Sequence, residues 1–352
     1  MTVNDDNFID YLGALETKGT LADAKKVNAL CSTVLQKAGL KKKAADIKKL
    51  RRVLLIAAAV SVCAVMTAAA IGFNFGDMFR GYFEATDPHR AKSAASLTQS
   101  QLDILNKSGT QINQSKTCNG TTITLKSAIG DNGSIYILGD IITPDRLKLD
   151  KSNYEFHYPN LNIEAGYNYR ITFLKDDNPN DNKRSFILYF LISNQLNLQR
   201  KNIKLSLSDL SVPTNKNPFY TPIVKGNWDF DFQLGYDTPG RKIAVNKITH
   251  YIGLKERGKP DTTTLQGNVK VIELSPFSVL IDYTDVRYMK DFSIPGTITV
   301  NFKNGAQKQL EIKGGEIDDR HAIASSSFVF DSPIDISSVS SITVGDLTIP
   351  VS

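Results

Sequence analysis

The sequence predicts a mainly β protein: two antiparallel, immunoglobulin-like β-sandwich domains outside, one transmembrane helix, and a short α-helical cytoplasmic segment. Three observations lead to this fold class. Residues 53–76 carry no charge and would extend about 36 Å as a helix, enough for a hydrocarbon core of about 30 Å. Short runs of alternating or β-branched residues recur from 121 to 350. Turn-forming residues separate these runs, and no long helical pattern interrupts them.

These patterns divide the chain into five segments. A change from helical to alternating periodicity after residue 96 marks the start of the β region, and the glycines between 235 and 240 mark a boundary within it. The predicted segments are a cytoplasmic helical segment (1–52), a transmembrane helix (53–75), a stalk (76–96), a first β-sandwich domain (97–235) and a second β-sandwich domain (236–352).

Basic residues beside the uncharged stretch predict its orientation. They precede it in a cluster, whereas acidic residues are frequent on its far side, so the positive-inside rule places the N-terminus in the cytoplasm and the C-terminal domains outside the cell. A buried core helix would rarely be so long and uncharged, and a signal peptide would have a much shorter leader. We expect a single-pass protein of the cell membrane. The membrane-flanking basic residues are Lys41, Lys42, Lys43, Lys48, Lys49, Arg51 and Arg52.

The formal net charge of +6 is concentrated at the N-terminal end. Residues 1–52 hold 11 of the 42 basic residues and six of the 36 acidic ones, so the remainder of the chain is close to neutral. This balance argues against nucleic acid as a partner of the β region. Anionic lipid headgroups are the expected partner of the basic cluster.

Apolar residues at helical spacing predict two short amphipathic helices before the basic cluster. Two helices of this size bury too little apolar area to form a stable domain alone, so their apolar stripes need a partner. They either pack on each other and on the inner leaflet, or lie in a groove of another cytoplasmic protein. The candidate partner-binding residues are Phe8, Ile9, Leu12, Leu15, Val27, Leu30, Val34 and Leu35.

No pattern in the sequence indicates catalysis, and we expect neither an enzyme nor a bound cofactor or metal. The four histidines are scattered, and none has a second histidine or a cysteine at ligand spacing. The acidic run from Asp176 to Asp181 lacks the glycine and the distal glutamate of a calcium loop, which favours a solvated hairpin tip. Trp228, the single tryptophan, lies in a strand pattern that favours a core position over a ligand contact.

Several stretches of the β region resemble a domain of unknown function found in Gram-positive membrane proteins, accompanied by an immunoglobulin-like domain. Such proteins are commonly described as anti-sigma factors or negative effectors of extracytoplasmic-function sigma factors. The stretches that carry the resemblance are Leu97-Thr98-Gln99-Ser100-Gln101-Leu102, Asn119-Gly120-Thr121-Thr122-Ile123-Thr124, Ile135-Tyr136-Ile137-Leu138, Trp228-Asp229-Phe230 and Ile272-Glu273-Leu274-Ser275-Pro276-Phe277.

The resemblance implies a regulatory function. We expect the outer β domains to sense an envelope signal or bind an unknown envelope ligand, and the N-terminal helices to sequester a cytoplasmic sigma factor. The alternative is an envelope-anchored binding or structural protein that has no role in transcription. The zinc-binding pattern of some anti-sigma factors, one histidine with two nearby cysteines, is absent from residues 1–52.

Overall fold

A computed structural model describes residues 74–85, 96–145, 147–149, 154–175, 178, 181–193, 196–214, 219–236, 240–255, 259–284, 294–318 and 323–351. In these residues the chain is mainly β and its strand pairs are antiparallel, as the sequence predicts. Its elements, in chain order, are α1 (Phe75–Phe83), α2 (Gln99–Lys107), β1 (Gly109–Cys118), β2 (Thr121–Gly130), β3 (Ser134–Ile142), β4 (Glu155–Phe156), β5 (Asn160–Leu161), β6 (Tyr167–Phe173), β7 (Lys183–Ile192), β8 (Asn202–Pro213), β9 (Tyr220–Gln233), β10 (Arg241–Lys255), β11 (Lys259–Leu274), β12 (Ser278–Thr284), β13 (Thr297–Phe302), β14 (Gln307–Asp318), β15 (Ile323–Val329), a short 3-10 helix (Ile336–Ser338), β16 (Val339–Val344) and β17 (Leu347–Pro350).

The predicted membrane anchor is not supported. No helix in the described part of the chain is long and apolar enough to cross a membrane. Phe75, at the end of the predicted span, begins the nine-residue helix α1, and residues 53–73 lie outside the described residues. This finding overturns the predicted single-pass, cell-membrane localisation with its cytoplasmic and extracellular sides.

Helix α1, which covers the first part of the segment predicted as a stalk (76–96), packs on protein. Asn74 caps the helix by accepting a hydrogen bond from the backbone N–H of Asp77. The apolar face of α1, with Phe79 at its centre, is buried together with α2 on the outer face of a β-sheet. That sheet face is itself apolar, because it presents Tyr136, Leu138 and Ile187, and the two helices exclude water from it.

The strands from β1 to β9 form two facing sheets. One has five strands in the order β1-β2-β3-β7-β6, and the other contains β4, β8 and β5 with β9 paired to β8. A core of aliphatic and aromatic side chains fills the space between them, and Trp228 lies fully buried within it, as predicted. Because α1 and α2 cover the other face of the five-stranded sheet, the hydrophobic runs of β3 and β7 are nearly continuous.

The strands from β10 to β17 form one antiparallel sheet in the order β10-β11-β12-β15-β14-β13-β16-β17. Strand β14 pairs with β13 through its first half and with β15 through its second half, so the sheet bends around a single core. The backbone N–H of Asp346, next to β17, donates to the carbonyl of His250 on β10 at 3.0 Å. The result is a nearly closed barrel, and the predicted pair of immunoglobulin-like sandwiches is therefore wrong.

Two turns join the barrel to the first pair of sheets. The β2–β3 turn carries Asp131, a fully buried carboxylate, and the β11–β12 turn packs against it. Oδ2 of Asp131 accepts the backbone N–H of Phe277 at 2.9 Å, and Oδ1 accepts the hydroxyl of Ser278 at 3.0 Å. Further along the junction, the hydroxyls of Ser325 and Ser327 donate to backbone carbonyls at the end of β7 and just beyond it.

Candidate ligand-binding surface

An exposed group of aromatic side chains surrounds the short strand β4. We define the aromatic surface by Glu155, His157, Tyr158, Tyr169 and Tyr220, which come from β4 and the residues after it, from β6 and from the start of β9. The phenols of Tyr158, Tyr169 and Tyr220 are among the few large hydrophobic side chains that the described residues expose to solvent. Exposed apolar side chains that lie together indicate an interaction site.

Backbone geometry forces these rings outward. The chain pairs with β8 at Phe156 and Leu210 and again at Asn160 and Ser206, and between these pairs the backbone N–H of His157 also donates to carbonyls of β8. Within this segment Tyr158 has a φ of 55°, a left-handed conformation that is rare for a bulky residue. Its side chain is 73% exposed, so the fold gains little from burying the ring.

The core holds this segment in place from one side. Phe156, directly before it, is buried, and its ring centroid lies 5.8 Å from that of Phe186 and 6.3 Å from that of Trp228. On the surface, the ring of His157 lies between those of Tyr158 and Tyr220, at 4.2 Å and 6.3 Å between centroids. The aromatic surface is thus fixed on the sheets by a buried neighbour.

A carboxylate lies among the phenols. Glu155 raises the pKa of Tyr220, through hydrogen bonding to the phenol and through its charge. Burial, followed by the charge of Glu155, raises the pKa of Tyr169. In the described part of the chain, Glu155 makes no ion pair with lysine or arginine. Within the described residues, the surface therefore combines aromatic rings with a carboxylate that has no ion-pair partner.

A second site lies at the seam of the barrel. A cleft of about 480 Å³ opens beside His250, whose Nδ1 lies 3.0 Å from Oδ2 of Asp346. Hydrogen bonds from the backbone and side chain of His250 lower the pKa of Asp346. Threonine hydroxyls and the phenol of Tyr251 supply the other polar groups of the described lining, which contains no serine, cysteine or lysine. Such a cleft can hydrogen-bond a polar ligand, but it offers no activated nucleophile.

The predicted site residues all lie outside the part of the chain that the structure describes, and their roles stay predictions. The eight candidate partner-binding residues, Phe8, Ile9, Leu12, Leu15, Val27, Leu30, Val34 and Leu35, and the seven basic residues, Lys41, Lys42, Lys43, Lys48, Lys49, Arg51 and Arg52, lie outside the described residues. Within the described ranges, no group of three or more histidine, cysteine or acidic side chains is arranged to hold a metal ion.

Sequence reasoning did not single out the aromatic surface. One signal was available: His157-Tyr158 and Phe219-Tyr220 are adjacent pairs of ring-bearing residues. Successive side chains of a strand point to opposite faces, so both members of such a pair cannot enter the same core. At least one ring of each pair must therefore face solvent or a partner.

Comparison with known proteins gives a limited match. The model of a family described as a domain of unknown function (DUF4179) matches residues 47–142, which is less than half of the chain. None of the curated proteins matches. Among solved structures, a conserved domain protein from Bacillus anthracis is similar at 16% sequence identity and a TM-score of 0.45, over 66% of this chain and 75% of that protein.

Proposed function

We propose that this protein is a regulator of the anti-sigma type. Its β region binds a ligand through the aromatic surface, and residues 1–52 hold a sigma factor inactive until that ligand is bound. The observation that carries the ligand-binding half is Tyr158, whose strained backbone presents a largely exposed ring beside Glu155. Strain of this kind is concentrated at functional sites.

Two further points support the proposal. The match to a domain of unknown function at 47–142 agrees with the resemblance that the sequence itself suggests. The junction at Asp131 ties the two groups of sheets together by buried hydrogen bonds, so a ligand bound on one can affect the position of the other.

The experiment tests the N-terminal apolar stripes in the host cell. Full-length protein carrying both Leu12→Asp and Leu30→Asp should release the sigma factor, because a charge in a helix-in-groove contact opposes binding. We expect a set of transcripts with a shared promoter to rise about tenfold or more, as a loss of 1.4 kcal/mol or more in affinity would give. RNA sequencing measures the change.

A matched variant controls for the added charge. Thr33 lies between the apolar positions Leu30 and Val34 of the second predicted helix and is not one of them. The substitution Thr33→Asp should leave the same transcripts unchanged. If the double variant also leaves them unchanged at normal protein levels, the regulatory proposal is wrong. The protein is then a binding or structural protein without a role in transcription.

A further inference from the structure

The aromatic surface has the charge and the chemistry to recognise a cation. The ring of His157 lies 4.2 Å from that of Tyr158 and 6.3 Å from that of Tyr220, and the carboxylate of Glu155 acts electrostatically on Tyr169 and Tyr220. Ring faces attract an ammonium group through their quadrupole, and a carboxylate supplies a full negative charge to the same group.

Other ligand classes fit this surface less well. An anion would meet the carboxylate of Glu155 and the oxygen atoms of the phenols. A neutral ligand would have to cover Glu155 without giving it a positive partner, which costs desolvation energy. Arg170, the neighbour of Tyr169 in β6, lies opposite Tyr189 across the sheet and, by strand alternation, points to the face opposite Tyr169.

We infer that the aromatic surface binds the alkylammonium group of a lysine side chain in a peptide or protein partner. This inference rests on the proposed ligand-binding function and names the class of ligand. An extended partner is favoured over a small free amine because the rings lie on an open surface, where Tyr158 is 73% exposed. Because the whole chain has a formal net charge of +6, general attraction of a polycation cannot account for such binding.

The conformation of Tyr158 provides an independent argument. Glycine is the residue that adopts a φ of 55° without steric cost, so tyrosine at this position makes the fold less stable than it could be. The ring contributes little packing in return, because most of it is exposed. A bound lysine would give the ring a contact that the isolated fold lacks.

The test uses the purified full-length protein and four probes at physiological salt. The probes are acetyl-trilysine amide, acetyl-triglutamate amide, tetramethylammonium and the neutral hexasaccharide maltohexaose. Calorimetric titration should detect acetyl-trilysine amide with at least tenfold tighter binding than the other three. Tyr158→Gly and Glu155→Gln should each weaken that binding about threefold or more, since each removes one attraction from the ammonium group.

Three variants separate recognition from folding. Tyr158→Gly should keep or raise the Tm while it weakens binding, because it removes backbone strain. Tyr158→Phe keeps the ring face and should bind within about twofold of the parent. Ile248→Ala, an exposed residue of the barrel, should change neither property.

The outcomes distinguish the inference from the proposed function. Equal binding of trilysine by the parent protein and Tyr158→Gly overturns the lysine inference, and so does preference for tetramethylammonium or maltohexaose. In either case the regulatory proposal survives if Leu12→Asp with Leu30→Asp still raises the transcripts. Conversely, trilysine binding can be confirmed while those transcripts remain unchanged, which overturns the regulatory proposal alone.

Discussion

Asp131 shows how one residue can determine the junction between two β regions. Its carboxylate is fully buried and receives five hydrogen bonds, three from its own turn and two from the β11–β12 turn. Burial raises the pKa of Asp131 to about 6, because the loss of hydration outweighs the hydrogen bonds that favour the charged form. The carboxylate of Asp131 thus accepts several hydrogen bonds, yet its burial in the charged form is unfavourable.

Removal of this carboxylate should weaken the fold substantially. Asp131→Ala leaves the backbone N–H groups of Gly133, Ser134 and Phe277 buried without an acceptor, at about 1–3 kcal/mol each. We expect the free energy of unfolding to fall by about 3–5 kcal/mol in urea titrations. The control Asp103→Ala, on the exposed side of α2, should change it by less than about 0.5 kcal/mol. Equal effects of the two substitutions would contradict the role of Asp131.

At the scale of elements, helix α1 is held against the sheet by a close approach at Gly109. A Cβ atom at Gly109 would lie 2.2 Å from the ring of Phe75, so no other residue fits at the start of β1 without displacement of the helix. Gly81, in the same helix, has no atom within 4 Å of the corresponding position. A side chain at Gly109 in β1 would therefore clash with α1, whereas one at Gly81 in α1 would meet no other atom.

Alanine at these two glycines should shift stability in opposite directions. Gly109→Ala forces Phe75 out of its site and should cost about 1–3 kcal/mol, as overpacking does. Gly81→Ala adds a better helix former to an open position and should stabilise the protein by about 0.5–1 kcal/mol. Thermal unfolding of the two variants checks both values, and a stabilising Gly109→Ala would show that α1 does not pack on β1 as described.

The sequence predicts most strands because alternation reports which face is buried. The region of alternating runs predicted at 121–350 contains the strands from β2 (Thr121–Gly130) to β17 (Leu347–Pro350). Strand β1 was missed because Gly109–Cys118 is polar along most of its length and has a single fully buried side chain, Ile112. Helix α1 was assigned to the membrane and the stalk because an apolar face gives no indication of whether lipid or protein covers it.

The aromatic surface was harder to predict than the strands. Alternation from Tyr154 through Phe156 places Tyr158 on the core side of a strand, and the first two residues are indeed buried. Tyr158 turns outward because its backbone becomes left-handed, next to a β-bulge at Asp209 on β8. A local backbone conformation that depends on the neighbouring strand is not readable from the periodicity of one segment.

At the scale of the whole molecule, the junction links the two β regions through buried polar groups. Asn132 donates to Glu273 at 2.5 Å, and Lys242 forms an ion pair with the other oxygen of Glu273 at 3.4 Å. The phenol of Tyr236 donates to Asn132, so residues between β9 and β10 join the same network. These groups connect parts of the chain that are far apart in sequence. We therefore expect the charge state of the junction to change the stability of the whole fold.

Stability should therefore depend on pH through Asp131. With a native pKa of about 6 and an ordinary value of 3.8, the folded protein binds a proton between these pH values that the unfolded chain releases. The stabilisation is complete below about pH 4 and is lost as the pH rises through 6, by an amount on the order of 3 kcal/mol. Urea titrations of the parent protein and Asp131→Asn from pH 4 to 7 measure this term as the difference between their free energies of unfolding. The contributions of the carboxylates that both proteins share cancel in this difference. If the difference between the two free energies of unfolding stays constant from pH 4 to 7, Asp131 is already charged at pH 4.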